Sequence, residues 1–280
     1  MVYISDATID RLIKEDVPYI DLTTMVLGIG KRQGRLIFSA REDAVLACSE
    51  EAMRVFQKLN ISPVKHLSSG SIIKPGETIL EGTGSVESLH IAWKVCLNIL
   101  EYCSGIATRT KHLVEKSEKN NLGVSIVTTR KGFPGTKELA IKSVIAGGAY
   151  PHRLGLSETI LVFEQHLNFI GGISGFIKIF NKVKEKACEK KIIVEVKELE
   201  DALLLAEVGV DGIQLDKVPA DILPEYVKQI RLINPRVLII GTGGIHSENI
   251  EQYELTGINA IATSSVYYGK PVDIKASIIH

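Results

Sequence analysis

The chain is poor in the features that would assign it to a class at sight. Cysteine occurs four times (Cys48, Cys96, Cys103 and Cys188), with no C-x-x-C pair and no histidine at zinc-ligand spacing. That excludes a disulfide framework or a structural zinc site and leaves small buried apolar residues as their expected role. Excess charge is also missing: 33 Lys and Arg balance 33 Asp and Glu, so the basic footprint of a nucleic-acid protein is absent. No uncharged apolar run approaches the ~18 residues of a membrane span. The opening MVYISDATIDRLIKED is charged and lacks an apolar signal core. A soluble, cytoplasmic protein is expected. A small anionic substrate remains open, because one pocket needs only a few basic groups.

What the chain does have is alternation. Residues 4–16 read as a short helix with Ser5 or Asp6 as N-cap. From about 32 to 85, short β-like runs (GRLIFSA, DAVLA), an amphipathic helix (EEAMRVFQKLN) and Gly/Pro-punctuated strands follow one another. Apolar residues at helical spacing run from Leu89 to Leu113, with a break expected at Gly105. Beyond residue 120, strand-like runs at 124–129, 192–196, 212–216, 237–241 and 260–264 alternate with helical segments, the last of them at 247–257. HRLGLSETILVF adds a further strand with its turn. Val/Ile-rich strands separated by amphipathic helices imply a parallel sheet covered by helices. With no G-x-G-x-x-G after the first strand, a β/α barrel is favoured over a doubly wound sheet.

A barrel collects its chemistry at the C-terminal ends of its strands. Here those ends offer Arg130 and Lys131, Glu195, Asp216, Thr242-Gly243-Gly244 and Thr263-Ser264. Two cations, two carboxylates, hydroxyls and a Gly-rich turn expected to open a helix suit a phosphorylated substrate, since helix-start N–H groups hold phosphate and carboxylates hold Mg²⁺ or sugar hydroxyls. Glu195 interrupts an apolar strand, where an unpaired carboxylate is costly, so a cation or metal beside it is expected. Taken singly, the others have plainer readings: a tight turn for Thr242-Gly243-Gly244, a helix cap for Asp216, a surface pair for Arg130 and Lys131, a loop for His152 and Arg153.

The stretches EDVPYIDLTT (15–24), LNILEYCSGIATRT (97–110), TTRKGFPGTKELAIKSVIAGGAYPHRLGLSETIL (128–161), VEVKELEDA (194–202), IQLDKV (213–218) and TGGI (242–245) carry a resemblance to the quinolinate phosphoribosyltransferase (nicotinate-nucleotide pyrophosphorylase, carboxylating) family over essentially the whole chain. Within that family the texture is most similar to the ModD pyrophosphorylase branch found with molybdate transport. The resemblance implies an N-terminal α/β sandwich (1–107, joined by the tail 270–280) and an incomplete β/α barrel (108–269), acting as a homodimer whose neighbouring N-terminal domain completes each active site. It implies transfer from phosphoribosyl pyrophosphate (PRPP) to the ring nitrogen of a base, with Mg²⁺ and pyrophosphate release. By the same resemblance Lys131 meets the pyrophosphate, and Glu195 and Asp216 meet the ribose hydroxyls and Mg²⁺. Thr242, Gly243 and Gly244, with Thr263 and Ser264, hold the 5′-phosphate; Arg130, His152 and Arg153 grip an acidic base; and Lys142 lies near the phosphates.

The departures from the family pattern gather in the base pocket. A family Arg becomes Lys94, with Trp93 beside it; a family Lys becomes Phe163; the Asn before His152 becomes Pro151; and the usual G-x-LTHS becomes SSVYYG, bringing in Tyr267 and Tyr268. Arg can fork onto a carboxylate, whereas Lys is a point charge and Phe carries none. A base altered from quinolinate, less acidic and more aromatic, is therefore expected. The alternatives are a true nicotinate-nucleotide diphosphorylase of NAD synthesis and a non-catalytic protein binding molybdate or another anion.

Overall fold

The computed structural model describes residues 2–118, 123–253 and 255–280. In chain order its helices are α1 (Asp6–Asp16), α2 (Leu22–Val26), α3 (Ser49–Lys58), α4 (Val86–Glu118), α5 (Lys137–Ala146), α6 (Glu164–Leu167), α7 (Gly172–Lys186), α8 (Leu199–Val208) and α9 (Leu223–Ile233). Its strands are β1 (Gln33–Ala40), β2 (Ala44–Val45), β3 (Ser62–His66), β4 (Ile72–Ile73), β5 (Thr78–Ser85), β6 (Ser125–Thr128), β7 (Tyr150–Pro151), β8 (Ile160–Val162), β9 (Ile192–Val196), β10 (Gly212–Asp216), β11 (Leu238–Thr242), β12 (Ala260–Thr263) and β13 (Ile274–Ile279). They fall into two compact units: Met1–Lys111 with Gly132–Gly148 and Val266–His280, and His112–Lys131 with Ala149–Ser265. Gly132–Gly148, which the sequence grouped with the barrel, thus packs with the first unit.

The first unit is built on an antiparallel sheet of order β13-β1-β5-β3. Strand β1 alternates between buried and partly exposed positions, sending Leu36, Phe38 and Ala40 inward. Leu36 and Phe38 join Leu80 from β5, Phe56 from α3 and Leu89 and Leu100 from α4 in one apolar core. Full burial of such side chains contributes about 1.5–3 kcal/mol each. Phe56 lies so close to β5 that a Cβ on Gly82 would sit 2.6 Å from its ring. Helix α1 starts where expected, with the Ser5 hydroxyl accepting the Thr8 N–H at 3.2 Å, a cap worth about 1 kcal/mol. Helix α4, by contrast, runs unbroken through Gly105. A side chain there would meet the Lys270 carbonyl and Pro271 Cα at 3.2 Å, so the glycine admits the C-terminal segment against the helix instead of ending it. Cys48, Cys96 and Cys103 are buried as expected, but Cys188 is exposed. An apolar run stays uncovered on this unit: Tyr19, Ile20, Leu22, Met25, Val26 and Leu27.

The second unit holds a seven-stranded parallel sheet of order β7-β6-β12-β11-β10-β9-β8. The end strands β7 and β8 have one neighbour each, so this is an incomplete barrel. Its interior is lined by Leu161, Ile193, Ile240, Ala260 and Ala262, with Val127, Phe163 and Leu238 packed against them. Residues 247–257 correct the sequence reading. Instead of an α-helix, a single 3-10 turn forms at Ile250–Tyr253, and residue 254 lies outside the described residues. The cause is local: Asn249 turns back on the preceding loop, donating to the Gly244 carbonyl at 3.0 Å and accepting the His246 N–H at 2.8 Å. An amide side chain engaged in this way competes with helix formation.

Candidate active site

In a strand, every second residue shares a face. Ile193 belongs to the barrel interior, so Glu195 projects from β9 on the same side; on β10, Gln214 pairs in register with Glu195, and Asp216 follows two residues on. The Gln214 side-chain N–H donates to Glu195 Oε2. Burial raises the Glu195 carboxyl above its ordinary range, and Asp216 adds to the rise, while Gln214, Lys131 and Lys197 oppose it. Lys131 and Asp216, from two other strand ends, thus bear on the Glu195 carboxyl with opposite sign. Gln214 and Lys197 were overlooked; a polar residue on the inward face of GIQLD, two before Asp216, was the available signal for Gln214.

Next to Asp216 the backbone becomes tight. Asp216 pairs in register with Thr242, and Lys217, in the left-handed region at φ 58°, donates its N–H to the Thr242 carbonyl at 2.8 Å. Gly243 follows at φ 93°. A Cβ there would lie 2.4 Å from Lys217 Cγ and 2.8 Å from Asp216 Oδ1, so only glycine fits. Gly244, at φ 74°, faces open space. The expected helix N-terminus after this turn is absent, because residues 245–249 form a loop; any anion held here must use the turn's own N–H groups. Thr242 donates its hydroxyl to the Ala262 carbonyl at 3.0 Å. Thr263 is buried and donates to the Ile245 carbonyl at 2.6 Å, which makes it a brace for the loop; Ser264 stays partly exposed at the end of β12.

A second cluster gathers the other basic residues. Arg153, only 8% exposed, has its guanidinium 5.8 Å from the Phe163 ring centroid. Burial lowers its pKa from the ordinary value, and neighbouring Arg130 lowers it further while Glu158 opposes them. His152 is lowered by burial and by Arg153. Phe163 stacks in turn on His166, with ring centroids 5.9 Å apart, and its N–H donates to His166 Nδ1 at 3.0 Å. Phe163 is thus the platform beneath Arg153, a partnership that single positions in a sequence do not reveal.

Lys94 and Lys142 belong to the first unit. The Lys94 ammonium lies 4.6 Å from the Trp93 ring centroid on α4. Lys142 pairs with Glu50 at 2.8 Å and Glu51 at 2.6 Å. Burial alone would lower its pKa, but these carboxylates outweigh burial and raise it. Its charge is shared with the start of α3.

Comparison with known proteins is consistent along the chain. The sequence model of the quinolinate phosphoribosyl transferase C-terminal domain matches residues 106–277, and that of the N-terminal domain matches residues 21–104. A protein of Pasteurella multocida bearing the name pyrophosphorylase ModD is 32% identical over 99% of both chains. One of Methanothermobacter thermautotrophicus, named as a nicotinate-nucleotide pyrophosphorylase (carboxylating), is 30% identical over 96% of this chain and 97% of its own. The crystal structure of NadC from Streptococcus pyogenes superposes with a TM-score of 0.89 at 26% identity, covering 100% of each chain.

Proposed function

We propose a function from one premise: the chain belongs to the quinolinate phosphoribosyl transferase family. It transfers the phosphoribosyl group of PRPP to the ring nitrogen of a nicotinate-like base and releases pyrophosphate. The observation that carries this reading is the placement of Glu195 on β9 in register with Gln214, two residues before Asp216 on β10, with Lys131 favouring the charged form of Glu195. As pyrophosphate departs, positive charge develops on the ribose and negative charge on the leaving group. Catalysis is then positioning and electrostatic stabilisation. Glu195 and Asp216 face the cationic sugar and its hydroxyls, and Lys131 meets the pyrophosphate. The backbone of Thr242, Gly243 and Gly244, with Ser264 beside it, receives the 5′-phosphate.

The carboxylates suit Mg²⁺. Both offer hard oxygen atoms, and no group of three or more His, Cys, Asp or Glu able to hold a metal occurs among the described residues. A substrate-borne ion held by one or two carboxylates and phosphate oxygens matches that donor set. When bound, the ion supplies neutralisation of the pyrophosphate charge. The same carboxylates speak against a pure anion-binding protein, since without a cation they would repel its ligand.

Arg130, His152 and Arg153 recognise a carboxylate on the base. A buried guanidinium stacked on a neutral ring keeps its N–H edge for such a group. The protein acts as a homodimer in which Lys94 reaches the neighbouring site. The family resemblance supports this, and so does the uncovered apolar run from Tyr19 to Leu27.

Calorimetric titration with PRPP and Mg²⁺, then pyrophosphate release with nicotinate and with quinolinate, tests the reading. PRPP binding with turnover of nicotinate or a related base supports it. Quinolinate turnover at a rate equal to or above nicotinate identifies a carboxylating enzyme instead, and failure of PRPP to bind removes the transferase reading.

A further inference from the structure

Gln214 is 4% exposed at the level of the apolar residues that fill the barrel. Its side-chain N–H donates to Glu195 Oε2, while its own Oε1 is buried with no hydrogen-bond partner. An ionised carboxylate only accepts, so the amide nitrogen must face Glu195 and the amide oxygen must face away. A buried orphan oxygen is unfavourable. Methionine or leucine, of similar volume, would fill this space without one. A carboxamide at this position therefore has its justification in what its nitrogen does. Lys131, Lys197 and Asp216 act on Glu195 through charge, which falls off gradually with distance; the Gln214 bond is directional and links two strands already held in register.

We infer that Gln214 is a positioning residue for Glu195: it fixes one carboxylate oxygen so that the other is presented to the pentose hydroxyls of the bound phosphoribosyl donor. The inference rests on the phosphoribosyl-transfer reading and extends it to a residue that does not itself touch the reacting atoms.

The test is a double-mutant cycle read by calorimetric binding of PRPP with Mg²⁺ to the full chain, using Q214M, E195Q and the double variant, with Q214N as a second amide one methylene too short to reach. Losing a hydrogen bond to a charged group corresponds to about a tenfold or greater weakening. Q214M and Q214N should each show it, and Q214M should add nothing in the E195Q background, because two residues acting as one unit are not additive. Base KM should stay unchanged in Q214M. Wild-type affinity in Q214M or Q214N, or full additivity in the double variant, overturns the inference while leaving the transfer reading intact. Wild-type protein that does not bind PRPP overturns both, so the two failures are distinguishable.

Discussion

Replacing Phe163 with lysine tests the platform under Arg153. The ring now lies 5.8 Å from a buried guanidinium. Removing it forfeits a cation–π contact of about 0.5–2 kcal/mol. An ammonium at the ring's position would repel the guanidinium by about 3 kcal/mol at an effective dielectric constant of about 20. The lysine can swing partly away, so a net destabilisation of about 2–4 kcal/mol is expected, at about 2–4 °C of Tm per kcal/mol for a chain of this size. A ligand with two carboxylates would place the second between the cations and reverse the penalty. F163K should therefore unfold several degrees lower than wild type when free, regain most of that loss with quinolinate but not with nicotinate, and release pyrophosphate faster with quinolinate than wild type does. Thermal unfolding with each ligand and a pyrophosphate-coupled assay read both effects. Unchanged Tm together with no gain on quinolinate would refute the role given to Phe163.

Three further outcomes follow from the geometry. G243A should lose PRPP binding and about 1–3 kcal/mol of stability, because its Cβ meets Lys217 and Asp216 as well as adopting a left-handed φ, whereas G244A bears only the backbone strain; unfolding and calorimetry of the pair separate the two effects. E195Q and D216N should each lower kcat/KM by about 10²–10³ with the protein still folded, the scale for removing one preorganised electrostatic group, and near-wild-type turnover in either would remove it from the mechanism. Although burial pushes the Glu50 carboxyl up, hydrogen bonds from Lys142 and Ser69 bring it down from 4.5 to about 2, so its contribution is present above pH 4.5 and is lost as pH falls toward 2. K142M should move acid unfolding, followed by circular dichroism, to higher pH and cost about 3–5 kcal/mol at neutrality by leaving buried Glu51 unpaired.

The parallel strands, their helices and the charged strand ends were legible because they follow local periodicity and one topological rule, that a barrel's chemistry sits where its strands finish. Gly105 misled because its reason lies in Lys270 and Pro271, more than a hundred residues away in sequence. The helix expected at 247–257 was lost to the Asn249 side chain, whose two bonds depend on how the loop closes. The family resemblance puts Lys142 near the phosphates, and its pairing with Glu50 and Glu51 depends on the approach of α3, which the sequence does not give. Phe163 read as a missing cation; in the fold it carries one. Gln214 passed unnoticed inside an apolar strand, where its meaning depends on the register with β9.

Pro151 has a consequence for the edge of the sheet. An incomplete barrel leaves two sheet edges, and an exposed edge is a template for pairing with another chain. Here both are blunt: β8 has three residues and β7 has two, the second of them Pro151. Proline offers no N–H to an incoming strand, and it costs the existing ladder nothing, because His152 supplies the N–H that reaches the Thr128 carbonyl at 2.8 Å. Proline thus leaves the β7 edge of the unclosed barrel without an N–H at this position to offer a further strand.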